Sequence, residues 1–118
     1  MLTFKKSQLE AALMQLSIYD KETNKLIGGL LSESLTIGTK RRLNKIHSKL
    51  SEHYNELIKD YEELKNECKD NQDKLKNELK ELLEETVQID IEPVPFTMIE
   101  NVSTSSNYNF DIIEKFTI

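Results

Sequence analysis

Between Lys40 and Lys69 the residues Leu43, Ile46, Leu50, Tyr54, Leu57, Tyr61, Leu64 and Cys68 recur at steps of 3, 4, 4, 3, 4, 3 and 4. That rhythm puts all of them on one side of a single helix. No Gly or Pro interrupts the stretch, and both prolines of the chain lie later, at Pro93 and Pro95. At 1.5 Å per residue such a helix is about 45 Å long. A compact chain of 118 residues has a radius of gyration of only about 13–14 Å. The helix is thus longer than a globule of this size is wide. The molecule must be elongated, or a second copy must complete the stripe.

The same helix carries opposite charge at its ends. It opens on Lys40, Arg41, Arg42, Lys45 and Lys49 and closes on Glu56, Asp60, Glu62, Glu63 and Glu67, with Asp70 just beyond. The asymmetry runs through the chain. Residues 1–50 hold nine Lys/Arg against four Asp/Glu, a balance of +5, and residues 51–118 hold seven against seventeen, a balance of −10. Two surfaces of opposite sign speak to partners more than to chemistry.

Around this helix the chain reads as one mainly helical α+β domain. We divide it into an N-terminal part, 1–38, a helical hairpin, 39–85, and a β element with a C-terminal segment, 86–118. Leu2 to Lys5 alternates and suits a short strand. Ser7 and Glu10 have capping-box spacing and start a first helix, with Leu9, Ala12, Leu13 and Leu16 on its apolar face, ending near Ile18 or Tyr19. Leu26 to Ile37 reads as a short helix or ordered loop ending at Gly38, because Gly28 and Gly29 each weaken a helix by about 1 kcal/mol. Thr39 is then the expected cap of the long helix. Asp70-Asn71-Gln72-Asp73 is a turn, and Leu75, Leu79, Leu82 and Leu83 mark a return helix of roughly 20 Å that covers only the far half of the stripe.

Thr86 to Glu92 alternates with Val87, Ile89 and Ile91 on one side, a strand that the prolines end and for which Leu2 to Lys5 is a candidate partner. Met98-Ile99 suits a second strand, and Asn101 to Asn107 reads as a loop. For the tail, a helix capped by Asn107 or Asn109 and holding Phe110, Ile113 and Phe116 competes with a strand.

Three stretches together resemble a known group of proteins. They are Leu2-Thr3-Phe4-Lys5-Lys6-Ser7-Gln8-Leu9, Thr39-Lys40-Arg41-Arg42-Leu43, and Glu84-Glu85-Thr86-Val87-Gln88-Ile89-Asp90-Ile91-Glu92. In that order they look like a family of small, functionally uncharacterised proteins of tailed phages and prophages of low-GC bacteria. The resemblance implies a phage origin and a host-cytoplasm setting. It implies no catalytic residues.

The residues themselves argue against catalysis. His47 and His53 lie six apart, off the i, i+4 spacing of a metal pair, and Cys68 is far along the helix. Gly28-Gly29 lacks the Lys-Ser/Thr that would follow in a phosphate-cradling loop. Glu56 with Lys59 and Lys74 with Glu78 have the spacing of solvated helix pairs. Hence no enzyme, no cofactor and no metal site is expected. No apolar run reaches the roughly 20 residues of a membrane span. The single cysteine makes no internal disulfide, and Met1 to Lys6 places apolar residues before basic ones, the reverse of a signal peptide. A reducing cytosol and no membrane partner are expected.

The expected function is therefore protein binding. The acidic face, Glu56, Asp60, Glu62, Glu63, Glu67 and Asp70, has the sign to block the basic nucleic-acid channel of a host or defence enzyme by complementarity. The plainer account is that an exposed hairpin needs charge to stay in solution. Self-association along the stripe Leu43, Ile46, Leu50, Tyr54, Leu57, Tyr61 and Leu64, as a homodimer, is the alternative. Third is weak nucleic-acid binding through Lys40, Arg41, Arg42, Lys45 and Lys49, where 41, 45 and 49 share a face. The net charge of −5 opposes it.

Overall fold

The structure is a computed structural model that describes residues 2–100 and 108–118. Its long axis is fixed by one helix, α2, Ile37–Glu67, of 31 residues. The molecule measures 51 × 35 × 23 Å with a radius of gyration of 16.1 Å, the elongated shape that the helix length requires. The helix begins three residues earlier than expected. Thr36 Oγ1 accepts from the Thr39 amide at 3.2 Å, so Thr36 is the cap and Thr39 lies buried in the first turn. The other end closes at Cys68, whose amide donates to the Leu64 carbonyl at 2.9 Å.

Helix α1, Leu9–Leu16, and α3, Gln72–Glu84, pack on opposite halves of α2. Leu9, Ala12 and Leu16 of α1 are buried and meet the near half of the α2 stripe, where Leu43, Ile46 and Leu50 are fully buried. Helix α3 returns along the far half. Asn71 caps it by accepting from the Lys74 amide at 3.0 Å. Its leucines, Leu75, Leu79, Leu82 and Leu83, are only half-buried. Capping at the start of α1 also differs from expectation. A 3-10 turn, Lys6–Gln8, precedes α1, and Gln8 Oε1 accepts from the Lys5 amide at 2.9 Å, a role assigned above to Ser7 and Glu10.

Strand β1, Leu2–Lys5, pairs antiparallel with the last of the four strands, Thr86–Ile89, its candidate partner. Leu2 stands opposite Ile89 and Phe4 opposite Val87, so both inward sets meet on the core face. The later strand ends at Ile89 and not at Glu92. There the Ile91 amide turns back onto the Ile89 carbonyl at 2.9 Å. Leu26 to Ile37 is neither helix nor loop alone. Strands β2, Ile18–Tyr19, and β3, Leu26–Gly28, form a hairpin, followed by a 3-10 turn at Leu30–Ser32. Counted in order, Thr86–Ile89 is β4. Asp20 Oδ1 accepts from the Glu22 amide at 2.8 Å, and Asn24 adopts φ 57°, which closes the hairpin.

Past β4, the expected strand at Met98-Ile99 is a 3-10 turn, Phe96–Met98, because Met98 and Ile99 donate back to Pro95 and Phe96. In the tail the helix prevails over the strand. Helix α4, Phe110–Ile113, is capped by Asn109, whose Oδ1 accepts from Asp111 at 3.1 Å; a 3-10 turn follows, and Thr117 bridges Val94 in parallel. The expected loop Asn101 to Asn107, with its alternative cap Asn107, lies outside the described residues. Ile112, Ile113, Phe116, Val94 and Ile99 complete the core.

Gly29 and Gly38 give a paired test of this architecture. Gly29 has φ +86°, and a Cβ there would stand 2.6 Å from the Leu16 carbonyl and the Ser17 amide nitrogen. Gly38 lies in the first turn of α2 with nothing within 4 Å of its Cβ position. Gly38→Ala is expected to raise stability by up to about 1 kcal/mol. Gly29→Ala should lower it by about 1–3 kcal/mol or more, with both read as shifts in urea midpoint.

Candidate acidic cleft of the helical hairpin

Helices α2 and α3 pack side by side along the far half of the stripe. The α2 stripe points at α3, so residues just off the stripe flank a cleft on each side. On one side Asp60, Glu63 and Glu67 of α2 face Glu78, Glu81 and Glu85 of the return segment, around a cleft of about 260 Å³. Leu64 and Leu82 form its apolar floor. Six carboxylates from two elements therefore share one depression. Among the described residues only Glu85, at the base, has a close cation. Lys6 Nζ lies 2.6 Å from its Oε2, and the Lys6 amide donates to the Glu85 carbonyl at 2.8 Å. Among the described residues, the other five carboxylates have no Lys, Arg or His nitrogen within 4 Å.

The structure sorts the expected acidic face. Asp60, Glu63 and Glu67 enter the cleft; Glu56, Glu62 and Asp70 do not. Glu56 stands 3.9 Å from His53 Nδ1, and Glu62 stands 4.0 Å from Lys65, which also lies 5.2 Å over the Tyr61 ring. Lys49 pairs with Glu52 at 3.7 Å. These i, i+3 pairs form in place of the expected Glu56–Lys59 and Lys74–Glu78. Sequence reasoning missed Glu78, Glu81 and Glu85. Their steps of 3 and 4 place them on one face of the return helix, a signal that becomes legible once that helix is docked antiparallel.

On the opposite side of the hairpin Tyr54, Leu57, Ile58, Tyr61, Leu79 and Leu83 line an apolar groove of about 250 Å³. The packing stripe divides accordingly. Leu43, Ile46, Leu50 and Leu57 are buried, whereas Tyr54, Tyr61 and Leu64 are half-covered.

The basic residues do not form one patch. Arg41, Arg42, Lys45 and Lys49 are exposed along one broad face of α2. Lys40 lies about 200° around the helix from Arg42 and is half-buried. Ile91 and Glu92 share a cleft with Arg42 and Lys45, so a carboxylate sits at the edge of the basic face.

The histidines separate as their spacing implied. His53 borders Glu56, whereas His47 turns inward and its Nε2 lies 2.9 Å from the hydroxyl of Ser17, which is buried at the end of α1. Cys68 is buried at the end of the stripe. Among the described residues no group of three or more His, Cys, Asp or Glu is arranged to hold a metal ion, and no helix is long and apolar enough to cross a membrane. A larger cleft beside the β2–β3 hairpin is lined by Met14, Ile18, Ile27, Glu33 and Tyr108. Its polar groups are already engaged: Tyr108 donates to Glu33 Oε1 at 2.7 Å, and the Asn109 amide donates to Gln15 Oε1 at 2.8 Å. Burial, and then the bond to Glu33, hold the Tyr108 phenol in its neutral form.

Comparison with protein-family models, with curated proteins and with solved structures finds no match for this chain.

His47 yields a pH prediction. Burial lowers its pKa below the ordinary 6.5, so the folded chain favours neutral imidazole more than the unfolded chain does. Stability from this group is fully present above pH 6.5 and falls as pH drops through 6.5 toward the lower folded value. Urea midpoints of the wild type should decline across that window more steeply than those of His47→Gln, which keeps a partner for Ser17 without the titration.

Proposed function

We propose that this chain is a non-catalytic protein-binding module whose acidic hairpin cleft receives a basic surface of another protein. The observation that carries this reading is the convergence of Asp60, Glu63, Glu67, Glu78 and Glu81 on one cleft with no close cation among the described residues. Like charges held together cost energy, and a complementary partner relieves that cost. Two helices fix the backbone positions from which the carboxylates project, so a partner has only their exposed side chains to order.

The partner chemistry follows from the array. A surface that grips the phosphates of a nucleic acid offers Lys and Arg at regular spacing, and a row of carboxylates is a substitute for those phosphates. On the phage resemblance described above, the partner is a host or defence enzyme in the host cytoplasm, and the protein modulates or blocks it. Self-association ranks second, favoured by the opposite charges on one face of α2. Nucleic-acid binding ranks third, since Glu92 stands beside the basic residues that would contact phosphate.

Affinity capture from host lysate at ~150 mM salt tests this reading. Wild-type protein should retain one host protein. Reversal of Glu63, Glu67, Glu78 and Glu81 to Lys should abolish the capture, whereas reversal of Glu62 and Asp70, outside the cleft, should leave it intact. Capture that is lost equally in both variants would reduce the interaction to bulk charge and contradict a cleft-specific site.

A further inference from the structure

One face of α2 carries a second pattern that runs the whole length of the helix. Arg42, Lys45, Lys49, Glu52, Glu56, Asp60, Glu63 and Glu67 follow one another at steps of 3, 4, 3, 4, 4, 3 and 4. These are the steps of a continuous seam on one side of a helix. Seven of the eight are exposed, and Asp60 is half-buried in the acidic cleft. The seam is basic over its first three positions and acidic over its last five; Ile91 and Glu92 border its basic end and α3 borders its acidic end.

A seam of this kind is complementary to itself when reversed. We propose that the acidic cleft is also the docking site for the basic end of a second copy of this chain, in an antiparallel two-fold dimer. The inference rests on reading the cleft as a binding surface and names a different occupant for it. Centred between Tyr54 and Asn55, the antiparallel register sets Arg42 near Glu67 of the second copy, Lys45 near its Glu63 and Lys49 near its Asp60. The two-fold axis makes each contact twice. Leu64 and Leu82 on the floor of the cleft receive the aliphatic stems of the incoming basic side chains. A parallel pairing would set basic on basic and acidic on acidic, and is disfavoured.

The centre of the seam limits the affinity. There Glu52 faces Glu56 of the second copy; on its own helix Glu52 lies 3.7 Å from Lys49 Nζ and Glu56 lies 3.9 Å from His53 Nδ1. Exposed ion pairs are individually weak and are screened by salt. The dimer is accordingly concentration- and salt-dependent, and a stronger basic surface displaces the second copy from the cleft. Self-association would then keep the cleft covered until its target is met.

Sedimentation equilibrium at about 0.01 M and about 1 M salt tests the proposal. The wild type, 13.8 kDa as a monomer, should approach twice that mass at low salt and return to it at high salt. The double variants Lys45→Glu/Lys49→Glu and Asp60→Lys/Glu63→Lys should each be monomeric alone, and their equimolar mixture should recover the dimer, since every reversed pair is then matched. Glu56→Lys should tighten the wild-type dimer several-fold by removing the central repulsion. A wild type that stays monomeric at low salt, or a mixture that fails to pair, overturns the proposal. A monomer that still captures a host protein removes the dimer and leaves the proposed function; an assembling protein that captures nothing removes that function and leaves the dimer.

Discussion

Leu43, Ile46 and Leu50 lose all their exposed surface where the near half of α2 crosses α1 and the β1–β4 ribbon. Burial of three such side chains is worth about 1.5–3 kcal/mol each, and it anchors the helix at one end only. Past Leu57 the covering layer thins. Helix α3 offers no fully buried residue of its own. The outer hairpin stands because the helix is continuous and its turn is capped by Asn71. At its base the hairpin is tied down by two strands of contact to the N-terminus, Lys6 to Glu85 at 2.6 Å and Lys5 to Glu84 at 3.4 Å. The second of these is exposed and contributes little. The first is half-shielded and coincides with a backbone hydrogen bond, so it locates the end of α3 against β1.

This one-ended anchoring lets charge be displayed at a fixed distance. From Arg42 to Glu67 the helix runs about 37 Å, beyond the ~8 Å screening length of physiological salt. The basic and acidic ends therefore do not neutralise each other within one molecule. Each acts locally on whatever approaches. The acidic end is strengthened by carboxylates from α3, while the basic end is moderated by Glu92. That difference, more than the net charge, is why the cleft is the better candidate for a binding surface.

How much of this was legible in the sequence depended on the range of the interactions involved. The long helix, the return helix and the strands at Leu2–Lys5 and after Glu85 were legible because periodicity and alternation report which face is buried. The β2–β3 hairpin was not, since its strands are two and three residues long and are held by a tight turn in which Asn24 takes a positive φ. The shift of the cap from Thr39 to Thr36 had the same origin: two threonines at helix-capping spacing, whose choice is made by burying Thr39. The acidic residues were legible as a class but not as a cleft. Which of them converge depends on how α3 is rotated against α2, and that rotation is set by half-buried leucines with no distinctive local signature. Hence Asp60, Glu63 and Glu67 were identified without their partners Glu78, Glu81 and Glu85.

On the proposed reading the hairpin cleft, and not the acidic half at large, receives basic groups. Backbone amide shifts followed by NMR during titration with a short oligo-arginine peptide test it most directly. The account predicts changes concentrated at residues 60–67 and 78–85, fading as salt is raised, with Glu62 and Asp70 little affected beyond their neighbours. Shifts spread evenly over every exposed carboxylate, or confined to the apolar groove around Ile58 and Leu83, would contradict it.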